Sequence, residues 1–325
     1  MAFLSIKKGN KAQKVSFLDQ GSCLQEGMRL NMKTAIIVLN YNDYKNTKKY
    51  VEIIKEYKNI DKIVVVDNLS PNDDYEKLLE LKSDKIIVLQ SEKNGGYSYG
   101  NNYGIRYLDS LNEKIDNIII SNPDVYVTEE AIQKCIDELN ANEKTAIVAP
   151  CMRYSDNKIA RRSSWKIRTY FRDVIHSTRL LELLFYGVLR NGEYSKNDYE
   201  KNKLKVECIA GSFFIIKHDI FKEIGYFDEN VFLFYEEDIL GAKLKKLGYD
   251  IYSLNDISFI HYESRTINKT FSAYRKLQVL NRSKLYFQRE YNHINCFQVA
   301  FLKLLFAFRN LEMSVEILLR KLLKK

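Results

Sequence analysis

Lys62-Ile-Val-Val-Val-Asp67, followed by Asn68-Leu-Ser-Pro-Asn-Asp-Asp74, is the stretch on which the fold turns. Its β-branched apolar run suits a short strand covered on both faces, and the polar turn behind it leaves Asp67 at the strand's carboxyl end. The same unit recurs on either side. Thr34 to Leu39 reads as a buried strand followed by a helix over Asn42 to Tyr57, and Lys85 to Gln90 is a third strand behind a helix from Tyr75 to Leu81. The glycine-rich run Asn94 to Gly104 leads into a helix, and the strand Asn117 to Ile120 passes straight into Ser121-Asn-Pro-Asp124. Strands alternating with helices predict an α/β fold, a parallel sheet with helices on its faces. Asp67 and Asp124 then stand past two strand ends, the edge at which open α/β sheets bind ligands.

Composition bounds the function classes. The 325 residues suffice for one large domain with appendages or two modest ones, and 46% apolar content is that of an ordinary globular protein. A net charge of +9 suits nucleic acid, an anionic membrane or a phosphorylated small molecule. Because the lysines are spread along the chain with no recognition module, nucleic acid is not expected. Cys23, Cys135, Cys151, Cys208 and Cys296 include no C-x-x-C pair, which argues against a zinc site or disulfide framework and for a reducing compartment. The lysines at 7, 8, 11 and 14 precede no apolar core of signal-peptide length. Residues 1–31 are therefore expected to be a poorly ordered extension, or the product of an upstream start codon.

Farther on, a helix is expected from Thr128 to about Leu139, then a strand over Thr145 to Ala149. Arg153 to Lys205 is polar, basic and without a clear period. Val206 to Lys217 holds one or two strands, and a helix starts near Asp219. Phe232-Leu-Phe-Tyr235 runs into Glu236-Glu-Asp238 and a helix ending at Gly248, before strand signals at Ile251 to Leu254 and Ile257 to His261. Each feature alone has an ordinary structural use: an Asp after a strand caps a turn, a glycine cluster is a turn, and acids opening a helix complement its dipole. Nor is Asn94 to Gly104 a P-loop or a dinucleotide fingerprint.

Taken together, the motifs resemble family 2 glycosyltransferases of the GT-A fold, in particular the bacterial rhamnosyltransferase-like and capsule-assembly members, over roughly Lys33 to Thr266. Such a likeness implies an α/β fold with a single Rossmann-like mixed sheet flanked by helices, plus C-terminal amphipathic helices. I-I-V-L-N-Y-N (Ile36 to Asn42) and V-V-V-D-N-L-S (Val64 to Ser70) are similar to the family's first two strands. N-G-G-Y-S-Y-G-N-N-Y-G (Asn94 to Gly104) follows its N-x-G-x-x-x-G-x-N-x-G pattern. The resemblance implies a nucleotide-diphosphate sugar donor held by Asn40, Asn42, Asp67, Asn94, Gly96, Asn102, Asn122 and Asp124, with Asp67 on the nucleoside. S-N-P-D (Ser121 to Asp124) occupies the place of the family's D-x-D metal triplet, Asn122 replacing the first carboxylate. Asp124, with the late His261, is the implied ligand set for Mg2+ or Mn2+. Arg161, Arg162 and Arg265 are further candidates to offset phosphate charge.

Y-E-E-D (Tyr235 to Asp238) is similar to the element that supplies the base for an inverting displacement. Alignment on the Glu-Asp pair gives Asp238, which is preferred, and alignment backward from K-K-L-G-Y (Lys245 to Tyr249) gives Glu237. Gly211, Ser212 and Glu236 fall on the acceptor side. What the resemblance implies is an inverting transferase acting on a glycan or lipid-linked glycan in cell-surface polysaccharide synthesis, cytoplasmic at the inner membrane face. The catalytic domain would span residues 32–266, with a nucleotide-binding half over 32–127 and an acceptor-side half over 128–266. A helical region would cover 267–325. A sugar nucleotidyltransferase would show a basic glycine-rich loop where Asn40-Tyr-Asn-Asp43 stands; a non-catalytic sugar-nucleotide scaffold draws support from Asn122.

In the last segment Phe297, Phe301, Leu304, Phe308, Leu311, Val315, Leu318 and Leu322 recur at alternating steps of four and three, one stripe of an amphipathic helix. No apolar run there is long enough to span a bilayer. The stripe suits an anionic membrane, a second copy in a homodimer, or the chain's own domain; membrane is preferred because acceptors in the resembled pathways are lipid-linked.

Overall fold

The computed structural model describes residues 32–160, 162–185, 187, 193–262 and 272–322. The expectation for residues 1–31, and the candidates Arg161 and Arg265, lie outside them. Eleven strands are described: β1 (Thr34–Asn40), β2 (Lys62–Asp67), β3 (Ile86–Gln90), β4 (Asn117–Ser121), β5 (Val125–Tyr126), β6 (Thr145–Arg153), β7 (Ser164–Trp165), β8 (Lys203–Val206), β9 (Cys208–Ile209), β10 (Phe213–Lys217) and β11 (Asp250–His261). The helices are α1 (Tyr44–Ile54), α2 (Asp74–Leu78), α3 (Gly96–Ser110), α4 (Glu129–Asn140), α5 (Tyr170–Ile175), α6 (Arg179–Leu184), α7 (Lys196–Tyr199), α8 (His218–Glu223), α9 (Glu236–Lys246), α10 (Ala273–Glu290) and α11 (Cys296–Leu322).

The main sheet has nine strands in the order β3-β2-β1-β4-β10-β6-β11-β5, with β8 also paired to β11. β3, β2, β1 and β4 are parallel; β10 inserts antiparallel between β4 and β6, and β11 runs parallel to β6. This is the expected mixed α/β sheet. Alternate residues of the parallel strands feed two cores, as sheets covered on both faces require. Ile36, Val38, Ile63, Val65 and Ile119 pack with Val51 and Ile54 of α1 and Ile132 and Leu139 of α4. Ala35, Ile37, Val64, Val66, Ile118 and Ile120 pack with Ile105 and Leu108 of α3 and Leu240 and Leu244 of α9.

Several boundaries shift. The strand expected over Thr145 to Ala149 continues to Arg153, because Cys151, Met152 and Arg153 pair with Ser258, Phe259 and Ile260. The two late strand signals are one strand, β11, with a register irregularity between Leu254 and Ser258. Thr128 caps α4, its side chain accepting from the Ala131 amide. The unreadable stretch after Arg153 holds β7, which pairs with β9 as a separate small sheet, and the short helices α5 to α7.

α10 packs on the domain through Phe287, beside Val231, Tyr235 and Ile239 of a third apolar cluster. α11 lies on α10 and buries Leu302 and Phe306. The stripe read from the sequence is on its other side: all eight of those residues are exposed.

Candidate active site

Strand register assembles the site. Asn40, Asp67 and Gln90 stand side by side at the carboxyl ends of β1, β2 and β3. Because β10 runs antiparallel to β4, with Phe213 opposite Ser121, its leading residues Gly211 and Ser212 arrive beside Asn122, whose amide donates to the Ser212 carbonyl at 2.8 Å. The far end of β11 pairs His261 with Val125, and the Tyr262 amide donates to the Asp124 carbonyl at 3.0 Å. These ends and the start of α9 enclose a cavity of about 290 Å³, lined among others by Tyr97, Asn122, Ser212, Glu236, Glu237 and His261. A larger cavity of about 760 Å³ lies on the other side of Arg168. The smaller one collects the strand-end residues and the carboxylates, so the chemistry is sought there.

Asp124 and His261 face each other, Oδ2 and Nε2 lying 3.3 Å apart, and both atoms are buried without a hydrogen-bond partner. An oxygen and a nitrogen donor left unsatisfied at that spacing fit two ligands of one divalent cation. Among the described residues no group of three or more His, Cys, Asp or Glu could hold an ion, so further ligands would have to come from substrate and water.

The three acids opening α9 have different surroundings. Asp238 is buried with both oxygens engaged: Oδ1 accepts from the Arg168 amide at 2.9 Å, and Oδ2 accepts from Trp165 Nε1 at 3.2 Å and lies 3.5 Å from Arg168 Nε. Burial pushes its pKa up to about 6 against the pull of Arg168. Glu236 is buried and pushed up to about 8 by desolvation and by the charge of Glu237. Glu237 keeps an open edge on the cavity, and its Oε1 accepts from the Gly211 amide at 3.1 Å. Burial raises its pKa too, while the Gly211 amide and the charges of Arg168 and Arg162 oppose the rise. Tyr97, its hydroxyl pKa raised by burial and these carboxylates, donates to the Gly211 carbonyl at 2.5 Å and fixes that loop.

The turn before α9 is strained. Phe234 and Tyr235 both have left-handed backbones, with φ of 71° and 72°, which side chains other than glycine rarely adopt. Contacts from outside the sheet hold it: Ser283 Oγ of α10 donates to the Leu233 carbonyl at 2.8 Å, the Tyr235 ring packs 5.4 Å from that of Phe287, and Arg168 lies over the Tyr235 ring. Asp173 of α5, fully buried, accepts from the Tyr235 hydroxyl and from Gln288 Nε2 of α10.

Other residues expected at the donor sit inside the framework. Both Asp67 oxygens accept from the Ser70 loop and one also from Asn40 Nδ2, so its carboxylate organises the loop after β2. Asn40 also accepts from Thr47 Oγ1. Asn94 Oδ1 accepts from the Gly96 amide and from Asn68 Nδ2, and Asn102 bonds both the amide and carbonyl of Phe227. The close approach at Gly96 is to the chain itself: at φ +89° an added Cβ would stand 2.0 Å from the Phe232 carbonyl oxygen. Asn42 and Leu69, each with φ 54°, are exposed at the strand-end edge. Trp165, Arg168 and Asp173 were not anticipated; a lone tryptophan in a polar, basic stretch was the available signal for the first.

Comparison with known proteins gives this arrangement its class. The sequence profile of glycosyl transferase family 2 matches residues 35–225, more than half of the chain. The protein belongs to that family and is a glycosyltransferase. It is 27% identical over 245 residues to the low-salt glycan biosynthesis hexosyltransferase Agl10 of Haloferax volcanii, covering 74% of this chain and 71% of the relative. In fold it is similar to the mannosyltransferase PcManGT of Pyrobaculum calidifontis, solved with GDP-Man and Mn2+ (TM-score 0.53, 15% identity, 83% of this chain and 74% of that one). It is also similar to GalNAc-T7, solved with UDP, GalNAc and Mn2+ (TM-score 0.54, 13% identity, 86% of this chain). The chain spans about half, 54%, of the length of GalNAc-T7. These likenesses place the fold as GT-A.

Proposed function

We propose that the protein transfers a sugar from a nucleotide-diphosphate donor to a hydroxyl of a glycan or lipid-linked glycan, with inversion, in cell-surface polysaccharide synthesis at the inner face of the cell membrane. Glu237 is the base. The observation that carries this assignment is the division of labour on α9: Asp238 spends both oxygens on Trp165 and Arg168, whereas Glu237 borders the cavity with an open edge. In the reaction Glu237 takes the acceptor hydroxyl proton as that oxygen bonds to the anomeric carbon. The bond from that carbon to the diphosphate oxygen breaks on the opposite side, so one displacement inverts the centre. A raised pKa makes Glu237 a stronger base than an ordinary carboxylate.

Asp124 and His261 would hold Mg2+ or Mn2+, with Asn122 close by, and the cation supplies positive charge for the departing diphosphate. The relatives support the donor class: one is a hexosyltransferase of glycan biosynthesis, and two solved neighbours carry a sugar nucleotide or nucleoside diphosphate with Mn2+. The test is turnover of UDP-, dTDP- and GDP-sugars with Mn2+. The wild type should consume one donor class, and Glu237→Gln should bind that donor while losing turnover. Full turnover by Glu237→Gln, with Asp238→Asn folded but inert, would return the base to Asp238. Donor binding without turnover on any acceptor would favour a scaffold.

A further inference from the structure

We infer that α6 and α11 together form a surface that seats on an anionic lipid bilayer, lying in its plane. The α11 stripe runs from Phe297 to Leu322, about 38 Å of helix at 1.5 Å per residue. It is open along its length, with Phe297 82% exposed, Leu304 65% and Leu311 60%. Isolated apolar residues on a surface are ordinary; a continuous strip of this length is not. A second helix adjoins it. Glu312 of α11 accepts from the Arg179 and Leu180 amides at the start of α6, and α6 exposes Leu183 at 70% and Leu184 at 66%.

Charge selects the occupant. Each acid on the two helices is engaged within the chain: Glu182 lies 2.9 Å from His176 Nδ1, and Glu312 and Glu316 are paired with Arg309. The other cations of the α11 segment are Lys303, exposed and outside the stripe, and, in the sequence, the basic run of Arg320, Lys321, Lys324 and Lys325 around Leu322. An exposed apolar stripe on a helix whose lysines and arginines lie off the stripe and gather in its last turn is the pattern of an in-plane helix on anionic lipid. No described helix is long and apolar enough to cross a membrane.

A second copy is the rival, since steps of four and three are also those of a coiled-coil seam. The flanks of the seam speak against it. The positions that carry partner-setting charge pairs in coiled coils hold Gln298, Ala300, Leu305, Ala307, Ser314 and Leu319 here, with Lys321 the one basic residue in the sequence at such a position, and Glu312 is already engaged with α6 and Arg309. Leu319, on one of those flanks, is exposed as well, so the apolar surface extends beyond the eight positions of the seam.

The inference does not depend on the donor, the base or the metal. Its test is flotation of the full chain with vesicles of phosphatidylcholine alone and of phosphatidylcholine mixed with phosphatidylglycerol, at low and high salt. The wild type should float with the mixed vesicles, and less so as salt rises. Leu304→Glu with Leu311→Glu should lower vesicle binding by at least about tenfold, and Leu183→Glu by several-fold, with unchanged thermal unfolding and unchanged turnover of soluble substrates. A wild type that stays in the soluble fraction with both vesicle types overturns the inference, as do variants that float like the wild type. Sedimentation without lipid supplies the remaining arm: a dimer that the double substitution dissociates, with vesicle binding unaltered, assigns the face to a second copy. Absence of transferase activity would leave the flotation result standing.

Discussion

The hydroxyl of Tyr235 donates to Oδ1 of Asp173 at 2.7 Å, tying the strained turn in front of the acidic helix to a carboxylate that is also bonded by Gln288. Asp173 thus links the turn before Glu236 and Glu237 to a helix about fifty residues farther along the chain. Tyr235→Phe removes one buried bond to a charged acceptor, worth about 1.5–3 kcal/mol. The expected result is a lower Tm together with a several-fold fall in kcat at unchanged donor Kd, read by calorimetry and donor titration. A fall in Tm alone would make the bond purely structural.

Stability should decline with rising pH through Glu236. The unfolded chain releases this proton near the ordinary value of 4.5, whereas the folded protein keeps it to about 8. Between the two, folding takes up a proton, so the contribution is fully present below 4.5 and is lost as the pH rises through about 8. Asp238, held up to about 6 from 3.8, acts in the same direction over a lower window. Glu236→Gln should therefore flatten the pH dependence of Tm and stabilise the protein more at pH 8 than at pH 5, by an amount on the order of a few kcal/mol.

Metal affinity should depend on both members of the facing pair. Asp124→Ala and His261→Ala are each expected to weaken Mn2+ binding in the presence of nucleoside diphosphate by at least about tenfold, measured by electron paramagnetic resonance. Unaltered binding in both variants would remove these residues from the ligand set.

Gly96→Ala should be among the most damaging small substitutions. The added methyl would collide with the Phe232 carbonyl oxygen at a backbone angle of +89°, and neither partner is a flexible side-chain end. A loss of about 2 kcal/mol or more is expected from combined strain and displacement of the Tyr97 amide bond to Phe232, checked by denaturant unfolding.

The sheet was legible because its strands are short, β-branched and buried on both faces, so Ile63 to Val66 or Ile118 to Ile120 admit few other readings. The strand-end positions of Asp67 and Asp124 followed from the same runs. Their surroundings did not: Asp67 turns into the loop three residues on and also binds Asn40 of β1, while Asp124 is left facing His261 through a pairing far apart in sequence. Trp165, Arg168 and Asp173 have no period to betray them, since short segments place them and α9 and α10 give them their partners. On α11 the spacing told which residues share a face. Periodicity cannot tell whether that face looks inward, and the packing of Leu302 and Phe306 decides it.

The brace from α10 also gives the chain an order of completion. Everything that α9 contributes precedes Ala273 in sequence, but Ser283, Phe287 and Gln288, which hold the left-handed turn, follow it. On the ribosome, the growing polypeptide would carry Glu236, Glu237 and Asp238 before it possessed the helix that sets the turn in front of them. The left-handed turn is thereby left without its brace until synthesis has passed Gln288, shortly before α11 is made.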